Sequence, residues 1–380
     1  MMAKKRSSKR FLTKESLSAG RESIDFGMKD LNNLRDMPNV RNKPWTEDWA
    51  TSRVGGSKVI FLELNVLYNL VNCKNPEERV AYRKLDQVLK RGVEKRQIVC
   101  VSSMAQLLEV FKHGSLEKRV AVSATCDLLT KRVGVFSPDA QAYAELVNAA
   151  ATFFSGNSIK PRFINPFRSW IECLVPFHEI KYPQKSVFDD HRARARLEEM
   201  LSDFNFHELV PHLEISQLLG PFPTTDSIGK RFSGLGKSEI ENELVANFIH
   251  NKKWLVVLAM SDAVQMITKA NIKMIAPEGA WLFNLITSSA FVNYYITLTA
   301  KLLSEKKNTE WSHSLFDNTN AANVLNYVDF ALLDAETVDL IKQTHIVPKA
   351  IVFSTRAAGI SSFISAIEQL IGSTHLESFK

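Results

Sequence analysis

Acidic side chains interrupt or end apolar stretches of this chain, where a folded core has little structural use for them. The stretch Lys58–Val71 reads KVIFLELNVLYNLV, and its only acid, Glu63, lies in its middle. Asp334 directly follows the apolar run FALL, and Asp317 and Asp329 lie ahead of that run. Carboxylates brought together raise each other's pKa values unless a divalent cation keeps them ionised. Oxygen ligands of this type suit Mg²⁺ or Mn²⁺, so we expect a metal site if these acids converge.

The elements around Glu63 have the pattern of a parallel α/β sheet. KVIFLE is a short apolar run typical of a buried strand, and QIVCVSS at Gln97–Ser103 is a second one. Asn75–Lys95 between them has helical periodicity, with Asn75 as its N-cap. Ser102 or Ser103 can cap the next helix, which is predicted to end at Gly114. Strand, helix, strand and helix in this order predict a βαβ unit.

The end of the chain returns to the same alternation after a long helical stretch. From Leu116 to Glu310 the periodicity is mainly helical, broken by short Pro-containing segments. A helix beginning at Asp317 is then predicted, followed by the strand FALLD, the helix AETVDLIKQ, the strand KAIVFS and the helix AGISSFISAIEQLI. Ligands of open parallel sheets bind at the carboxyl ends of the strands, which is where Glu63 and Asp334 are expected.

Each acid also has an ordinary structural interpretation, which the sequence leaves open. Asp317 could cap its helix, Asp334 could be a solvated strand end, and Glu109 could belong to the solvated face of the helix after the second strand. Glu63 is harder to explain in this way because its neighbours on both sides are apolar. Asn65 could serve only to satisfy loop backbone.

The order of these motifs resembles that of PIN-domain nucleases. That family begins with an apolar strand ending in Asp-Thr-Asn-Val-Leu, and this chain has ELNVL at Glu63–Leu67. The family's second acid is a Glu in the helix after a strand-Ser step, which VSSMAQLLE supplies as Glu109. Its third acid opens a helix of the form Asp-x-x-x-Ala-Ala, matched by Asp317 in DNTNAA, and Asp334 matches the acid after the following strand. The similarity covers roughly 58–115 and 312–372.

The resemblance implies a three-layer α/β/α domain with a mainly parallel sheet, made of 58–115 and 312–380. A large helical insertion at 116–311 and a basic, irregular arm at 1–57 complete the expected organisation. The resemblance also implies that the acids at the strand ends ligate Mg²⁺ or Mn²⁺, with Asn65 orienting the first of them. The implied metal ligands are Glu63, Glu109, Asp317 and Asp334, with Asp329 as a further candidate.

The activity implied by the resemblance is metal-dependent hydrolysis of a nucleic acid, with RNA favoured over DNA. Two departures bear on this expectation: Glu63 replaces the family's Asp, and Leu64 and Leu332 replace residues with hydroxyl groups. The alternative is therefore a catalytically degenerate domain that binds RNA or scaffolds a complex. A third possibility is a helical adaptor whose sheet is only structural. Large nuclease domains of this type occur in bacterial toxins and phage-defence effectors, which suggests a context, and the insertion offers a surface for a protein partner.

Two basic segments could contact phosphate groups. Much of the net charge of +7 lies in residues 1–14, which hold six Lys or Arg and no acid. A phosphate-binding arm and a solvated tail are both consistent with this composition. Likewise, an arginine-rich helix start at 189–200 could face RNA or be solvated. The predicted nucleic-acid contacts are Lys4, Lys5, Arg6, Lys9, Arg10, Arg192, Arg194 and Arg196.

Other functional classes are disfavoured by spacing. Gly229–Glu239 contains GKRFSGLGKSE, in which the first glycine of a phosphate-binding loop is misplaced, and HELVPH lacks the spacing of a zinc protease helix. The four cysteines form no CxxC pair, which favours free thiols in a reducing cytoplasm. Neither a signal peptide nor membrane insertion is expected, because the uncharged stretch Gly279–Ala300 contains several polar residues and is predicted to be a buried helix.

Overall fold

A computed structural model of the chain describes residues 47–112, 115–156, 159–174, 204–212, 231–232, 234–267, 281–305 and 311–377. These residues form two compact units. The described part of the first unit lies between 143 and 163 and between 231 and 305. The described part of the second lies between 47 and 142, between 164 and 212 and between 311 and 377. The division falls within one helix, Pro138–Ser155.

The second unit contains all the described strands. Its elements between residues 47 and 112 are α1 (Glu47–Val54), β1 (Lys58–Leu62), α2 (Leu64–Asn72), α3 (Pro76–Glu94), β2 (Ile98–Val101) and α4 (Met104–Lys112). Between residues 115 and 212 it contains α5 (Leu116–Thr130), β3 (Val133–Val135), the start of α6 (Pro138–Ser155), β4 (Phe167–Ser169), α7 (Trp170–Leu174) and α8 (Phe206–Leu209), which is followed by a 3-10 turn at Val210–His212. Near the carboxyl terminus it contains α13 (Trp311–Val324), β5 (Phe330–Leu333), α14 (Ala335–Lys342), β6 (Ile351–Ser354) and α15 (Ala357–Glu377).

Four of the strands form a parallel sheet in the order β2-β1-β5-β6. Ile60 of β1 lies in register with Cys100 of β2 on one side and with Phe330 of β5 on the other. Strands β3 and β4 form a separate antiparallel pair. The backbone of Ser102, just after β2, bonds to Val133 and Val135 of β3, with N···O distances of 3.2 and 2.7 Å. The predicted α/β class with a parallel sheet is therefore confirmed.

The apolar run KVIFL becomes a central strand because both of its faces are covered. Val59, Ile60, Phe61 and Leu62 are all buried, so consecutive side chains on both faces of the strand are removed from solvent. Ile60 and Leu62 share a core with apolar residues of α3 and α15. The caps also form as expected. The Asn75 side chain accepts a hydrogen bond from the Glu77 N–H at 3.1 Å, and the Ser103 hydroxyl accepts one from the Gln106 N–H at 3.1 Å.

The structure departs from the sequence-based expectations in three places. Helix α13 begins at Trp311, so Asp317 lies inside it and does not open it. Residues 47–54, expected to be irregular, form α1. Strands β3 and β4 lie within the stretch 116–311 expected to be helical, and the described residues 116–142 and 164–212 belong to the unit of the sheet. Strands of three residues are too short to give a periodic signal in the sequence.

The first unit contains the rest of α6 together with α9 (Lys237–Asn251), α10 (Lys253–Ile267), α11 (Trp281–Thr287) and α12 (Ala290–Glu305). The uncharged stretch expected to be one buried helix is thus two helices. Ser289 caps the second of them, since its hydroxyl accepts from the Val292 N–H at 3.3 Å. Ser289 also donates to Glu145, at 2.7 Å. No helix in the described part of the chain is both long and apolar enough to cross a membrane.

Candidate metal centre

Three of the acids singled out in the sequence converge at one edge of the parallel sheet. Glu63, Asp317 and Asp334 each place one carboxylate oxygen so that all three oxygens lie within 4.8 Å of one another. Glu63 directly follows β1 and Asp334 directly follows β5, the strand next to it in the sheet. Residues from opposite ends of the sequence therefore form one cluster.

The topology of the sheet explains why this edge is suited to a ligand. From β1 the chain continues to β2 on one side, whereas from β5 it continues to β6 on the other side. The connections therefore leave the neighbouring strands β1 and β5 in opposite directions. In open parallel sheets such a switch point leaves a crevice at the carboxyl ends of the two strands, where ligands bind. Glu63 and Asp334 stand at this switch point.

Glu63 is held by backbone bonds that leave its side chain in the crevice. Its N–H donates to the Leu332 carbonyl at 3.0 Å, which extends the β1–β5 ladder by one residue. Its carbonyl accepts from Val66 and Leu67, so Glu63 is the N-cap residue of α2, but its side chain does not cap the helix. The residue is only 3% exposed. Its Oε2 atom is buried and has no hydrogen-bond partner among the described residues.

Asp334 caps a helix with one carboxylate oxygen and leaves the other without a hydrogen bond from any described residue. Its Oδ1 atom accepts from the N–H groups of Glu336 and Thr337 at 2.7 and 2.9 Å, and so caps α14. Its Oδ2 atom is buried and has no hydrogen-bond partner in the described part of the chain. The residue is partly buried, and not the fully solvated strand end that the sequence left open. One oxygen therefore fixes the side chain, and the other remains for a ligand.

Asp317 joins the cluster from helix α13 and not from the end of a strand. It is the seventh residue of α13 and is partly buried. Because α13 begins six residues earlier, Asp317 does not have the N-cap role that was its ordinary interpretation. On the same helix, Asn320 and Asn323 follow at intervals of three residues, and both are buried. Sequence reasoning missed these two amides, although the spacing of Asp317, Asn320 and Asn323 was visible in DNTNAAN.

The pKa of Glu63 is raised by its burial and by the two neighbouring acids. Burial raises the pKa of the Glu63 carboxyl well above its ordinary value of 4.5, and the charges of Asp334 and Asp317 raise it further. A hydrogen bond with the Asp317 side chain also raises the pKa of Glu63, whereas one from the backbone of Asp334 lowers it. A positive ion in the cluster would oppose all the raising effects, because it favours the ionised form of each acid.

The donor atoms fit a metal ion. The cluster offers oxygen atoms only, and two of them, Glu63 Oε2 and Asp334 Oδ2, are buried carboxylate oxygens without a partner among the described residues. Buried polar atoms are nearly always satisfied in folded proteins, and a cation bound between the three acids would satisfy both of these oxygens. Carboxylate oxygen is the ligand type of hard divalent cations. The three acids could therefore hold a metal ion.

Two expected ligands lie outside this cluster. Glu109 on α4 is partly buried and instead acts on Tyr68, whose pKa is raised to about 12 by burial and by the nearby charge of Glu109. Asp329 precedes β5 at the opposite edge of the sheet, where its carboxylate accepts from Lys58 Nζ at 2.9 Å and from the Val59 N–H at 2.8 Å. Glu63 lies four residues after Val59 along the strand direction, or roughly 13 Å away at about 3.3 Å per residue. Asp329 is therefore too far away to join the cluster.

The remaining predicted site residues are not part of this geometry. Asn65 is exposed and makes no hydrogen bond to Glu63, so the expected orienting role is not seen. The predicted nucleic-acid contacts lie outside the described residues: Lys4, Lys5, Arg6, Lys9, Arg10, Arg192, Arg194 and Arg196. The four cysteines are free and buried.

Comparisons with protein-family models, with curated proteins and with solved structures found no match to this chain.

Proposed function

We propose that this protein is a metal-dependent nuclease, with RNA favoured over DNA as its substrate. The observation that carries the proposal is the convergence of Glu63, Asp317 and Asp334 at the carboxyl ends of two adjacent parallel strands. Mg²⁺ or Mn²⁺ is the proposed cofactor, since both take oxygen ligands and bind phosphate oxygens. When bound, such an ion lowers the pKa of a coordinated water and stabilises charge on a phosphodiester.

The residues of the chain have distinct roles in this proposal. Glu63, Asp317 and Asp334 bind the ion, and Asp334 is also held rigidly by the backbone at the start of α14. The amino ends of α2 and α14 both lie at the site, because Glu63 and Asp334 are their N-cap residues. The partial positive charge of a helix amino end favours anionic groups such as a phosphate. The Glu63 side chain does not cap α2, so its carboxylate is not used by the first N–H groups of that helix.

The finer parts of the proposal rest on the resemblance to PIN-domain nucleases. They are a three-layer α/β/α arrangement around the parallel sheet, the preference for RNA, and the participation of the basic residues outside the described part. A role in a bacterial toxin or a phage-defence system, a cytoplasmic location and a protein partner for the inserted helices belong to the same proposal. The buried strand faces and the strand order support the first of these points.

A second candidate function is RNA binding without cleavage. The observation that favours it is the apolar lining of the site next to its acids. Leu64 and Leu332 are both buried, with Leu64 8% exposed and Leu332 fully buried. Because leucine has no hydroxyl group, neither residue can donate a hydrogen bond that supports a metal ligand. Glu109, the acid that the resemblance assigns to the same centre, lies outside the cluster.

The experiment that tests the proposal is a cleavage assay on labelled single-stranded RNA and DNA with Mn²⁺, with Mg²⁺ or with a chelator. We expect metal-dependent cleavage of RNA by the wild-type protein. The Asp317→Asn variant should lose at least about 100-fold in rate, because a neutral amide is a weak ligand in an otherwise intact site. Asp329→Asn is the matched control, since it removes one acid of the same sheet that lies outside the cluster, and it should cleave at the wild-type rate.

Three results would count against cleavage by these three acids. Cleavage that persists in Asp317→Asn would mean that a contaminating enzyme, or another site, is responsible. Equal losses in Asp317→Asn and Asp329→Asn would point to general damage to the fold. RNA that is retained in a salt-dependent manner but never cleaved, with either metal, would favour the binding function.

A further inference from the structure

A line of buried polar side chains connects the helix that carries Asp317 with the strand that precedes Glu63. Helix α13 carries Asp317 and, one turn later, Asn320, which is 2% exposed. The Asn320 Oδ1 atom accepts a short hydrogen bond from the Ser103 hydroxyl, and Ser103 is fully buried at the start of α4. The Ser103 oxygen in turn accepts from the Gln106 N–H at 3.1 Å.

The other end of this line reaches the residue next to Glu63. The Gln106 side chain is 1% exposed, and its Nε2 atom donates to the Leu62 carbonyl at 2.5 Å. Leu62 is the last residue of β1 and is bonded covalently to Glu63. The path therefore runs from the β1 backbone through Gln106 and Ser103 to Asn320, one helical turn from Asp317. We call Ser103, Gln106 and Asn320 the polar bridge.

The polar bridge matters because Asp317 lies on a helix, whereas Glu63 and Asp334 directly follow two paired strands of the sheet. A shift of α13 by one residue along its axis would turn Asp317 by about 100° around the helix and out of the cluster. The face of α13 that carries Ala321 and Ala322 is fully buried, but apolar packing is not directional and small alanines resist sliding weakly. Hydrogen bonds are directional, and a buried amide that loses its partner is costly. The polar bridge thus ties α13 to β1, the strand that ends next to Glu63.

We infer that Ser103, Gln106 and Asn320 are positioning residues of the metal centre, which set the place of Asp317 relative to Glu63. The inference rests on the proposed metal site. It goes beyond that proposal in assigning a function to three neutral residues that do not contribute carboxylates. They act through the acids and need not touch the ion.

The chain offers a matched control on the same helix. Asn323 is 1% exposed and lies one turn beyond Asn320. Its Nδ2 atom donates to Gln141 Oε1 at 2.6 Å and to the Phe136 carbonyl at 3.2 Å, so its amide is also hydrogen-bonded in the core, but to no residue of the polar bridge or of β1. Asn320→Ala and Asn323→Ala remove the same amide from the same buried helix. They differ in whether the polar bridge is broken.

The test is calorimetric titration of Mn²⁺ into the wild-type chain and the two variants, with thermal unfolding of each measured in a chelator. We expect comparable losses of thermal stability in Asn320→Ala and Asn323→Ala. Only Asn320→Ala should bind Mn²⁺ more weakly, by about 10- to 100-fold, the usual effect of removing a group that orients a metal ligand.

If Asn320→Ala fails to fold, the Ser103 position gives the same answer. Ser103→Thr keeps the hydroxyl and should bind Mn²⁺ like the wild type, whereas Ser103→Ala should show the weakened binding. The inference is overturned, with the metal site intact, if the wild type binds Mn²⁺ and Asn320→Ala binds it equally well or no worse than Asn323→Ala does. A wild-type protein that binds no Mn²⁺ would overturn the proposed metal site itself, and the inference with it.

Discussion

The two edges of the parallel sheet each hold a carboxylate that bridges β1 and β5, but the charges around the two carboxylates are opposite in sign. At the amino edge, Asp329 receives a hydrogen bond from the Val59 N–H and an ion pair from Lys58. At the carboxyl edge, Glu63 is more deeply buried and faces the charges of Asp334 and Asp317. The first acid is compensated by the protein. The second is surrounded by groups of its own sign.

This difference indicates that Asp329 stabilises the fold, whereas Glu63 is suited to bind a ligand. Asp329 joins two strands whose contact closes the sheet between the two ends of the sequence, and its partners satisfy both of its oxygens. Glu63 disfavours the folded state when it is ionised, because burial and like charges both raise its pKa. A group that costs stability by itself is retained where its function requires it, and a bound cation would remove the cost.

The largest effect that sharpens the comparison is stabilisation by metal. At a Mn²⁺ concentration about 100 times the dissociation constant, the free energy of unfolding should rise by about 2.7 kcal/mol. The rise should be lost in Glu63→Gln and retained in Asp329→Asn, since only Glu63 belongs to the cluster. Thermal unfolding of the three proteins with and without Mn²⁺ measures this. A metal effect of equal size in all three would mean that the ion binds elsewhere.

The second effect is that Glu63→Gln should stabilise the metal-free protein. Its free energy of unfolding at pH 7 should exceed that of the wild type by about 2 kcal/mol, because the substitution removes a buried charge without removing volume.

The pH dependence of this gain has a defined sign. The pKa of Glu63 is raised by folding, so between its ordinary value of 4.5 and its folded value the native state binds more protons than the unfolded state. The stability of the wild type therefore falls as pH rises through this window. The advantage of Glu63→Gln should be near zero below pH 4 and grow above pH 5. Chemical unfolding at several pH values in a chelator checks this, and a gain independent of pH would contradict the charge-based explanation.

Local patterns in the sequence were enough to predict the strands and caps that flank the site. KVIFL and FALL are continuous apolar runs, and Asn75 and Ser103 occupy N-cap positions, so each element could be recognised from its own residues. The convergence of Glu63 and Asp334 also followed, because the carboxyl ends of parallel strands lie at one edge.

The sequence was insufficient where the position of a residue depends on distant packing. Asp317 precedes a strand and has the chemistry of a helix cap, but α13 begins six residues before it. Asp329 lies only five residues before Asp334, yet β5 between them carries the two to opposite edges. The hydrogen bond from Gln106 to the Leu62 carbonyl of β1 joins residues 44 positions apart, so no local pattern in the sequence could predict it.

A third prediction concerns the amino edge itself. Asp329→Ala removes the acceptor of both the Val59 N–H and Lys58, and should lower the free energy of unfolding by about 1.5 kcal/mol, since a partly buried N–H group loses its partner. Mn²⁺ affinity should not change. Denaturant unfolding together with metal titration measures both quantities, and weakened metal binding would show that the two edges are coupled and not independent.

The smallest effect tests which partner of Asp329 matters. Lys58→Ala removes only the ion pair, whose two side chains are 51% and 36% exposed, while the Val59 N–H bond remains. Exposed ion pairs contribute little, because water and salt screen them, so the loss should be about 0.5 kcal/mol and should vanish in 1 M salt. Denaturant unfolding at low and high salt gives the comparison. A loss as large as that of Asp329→Ala would place the stabilisation in the ion pair and not in the backbone bond, and the amino edge would then depend on charge as the carboxyl edge does.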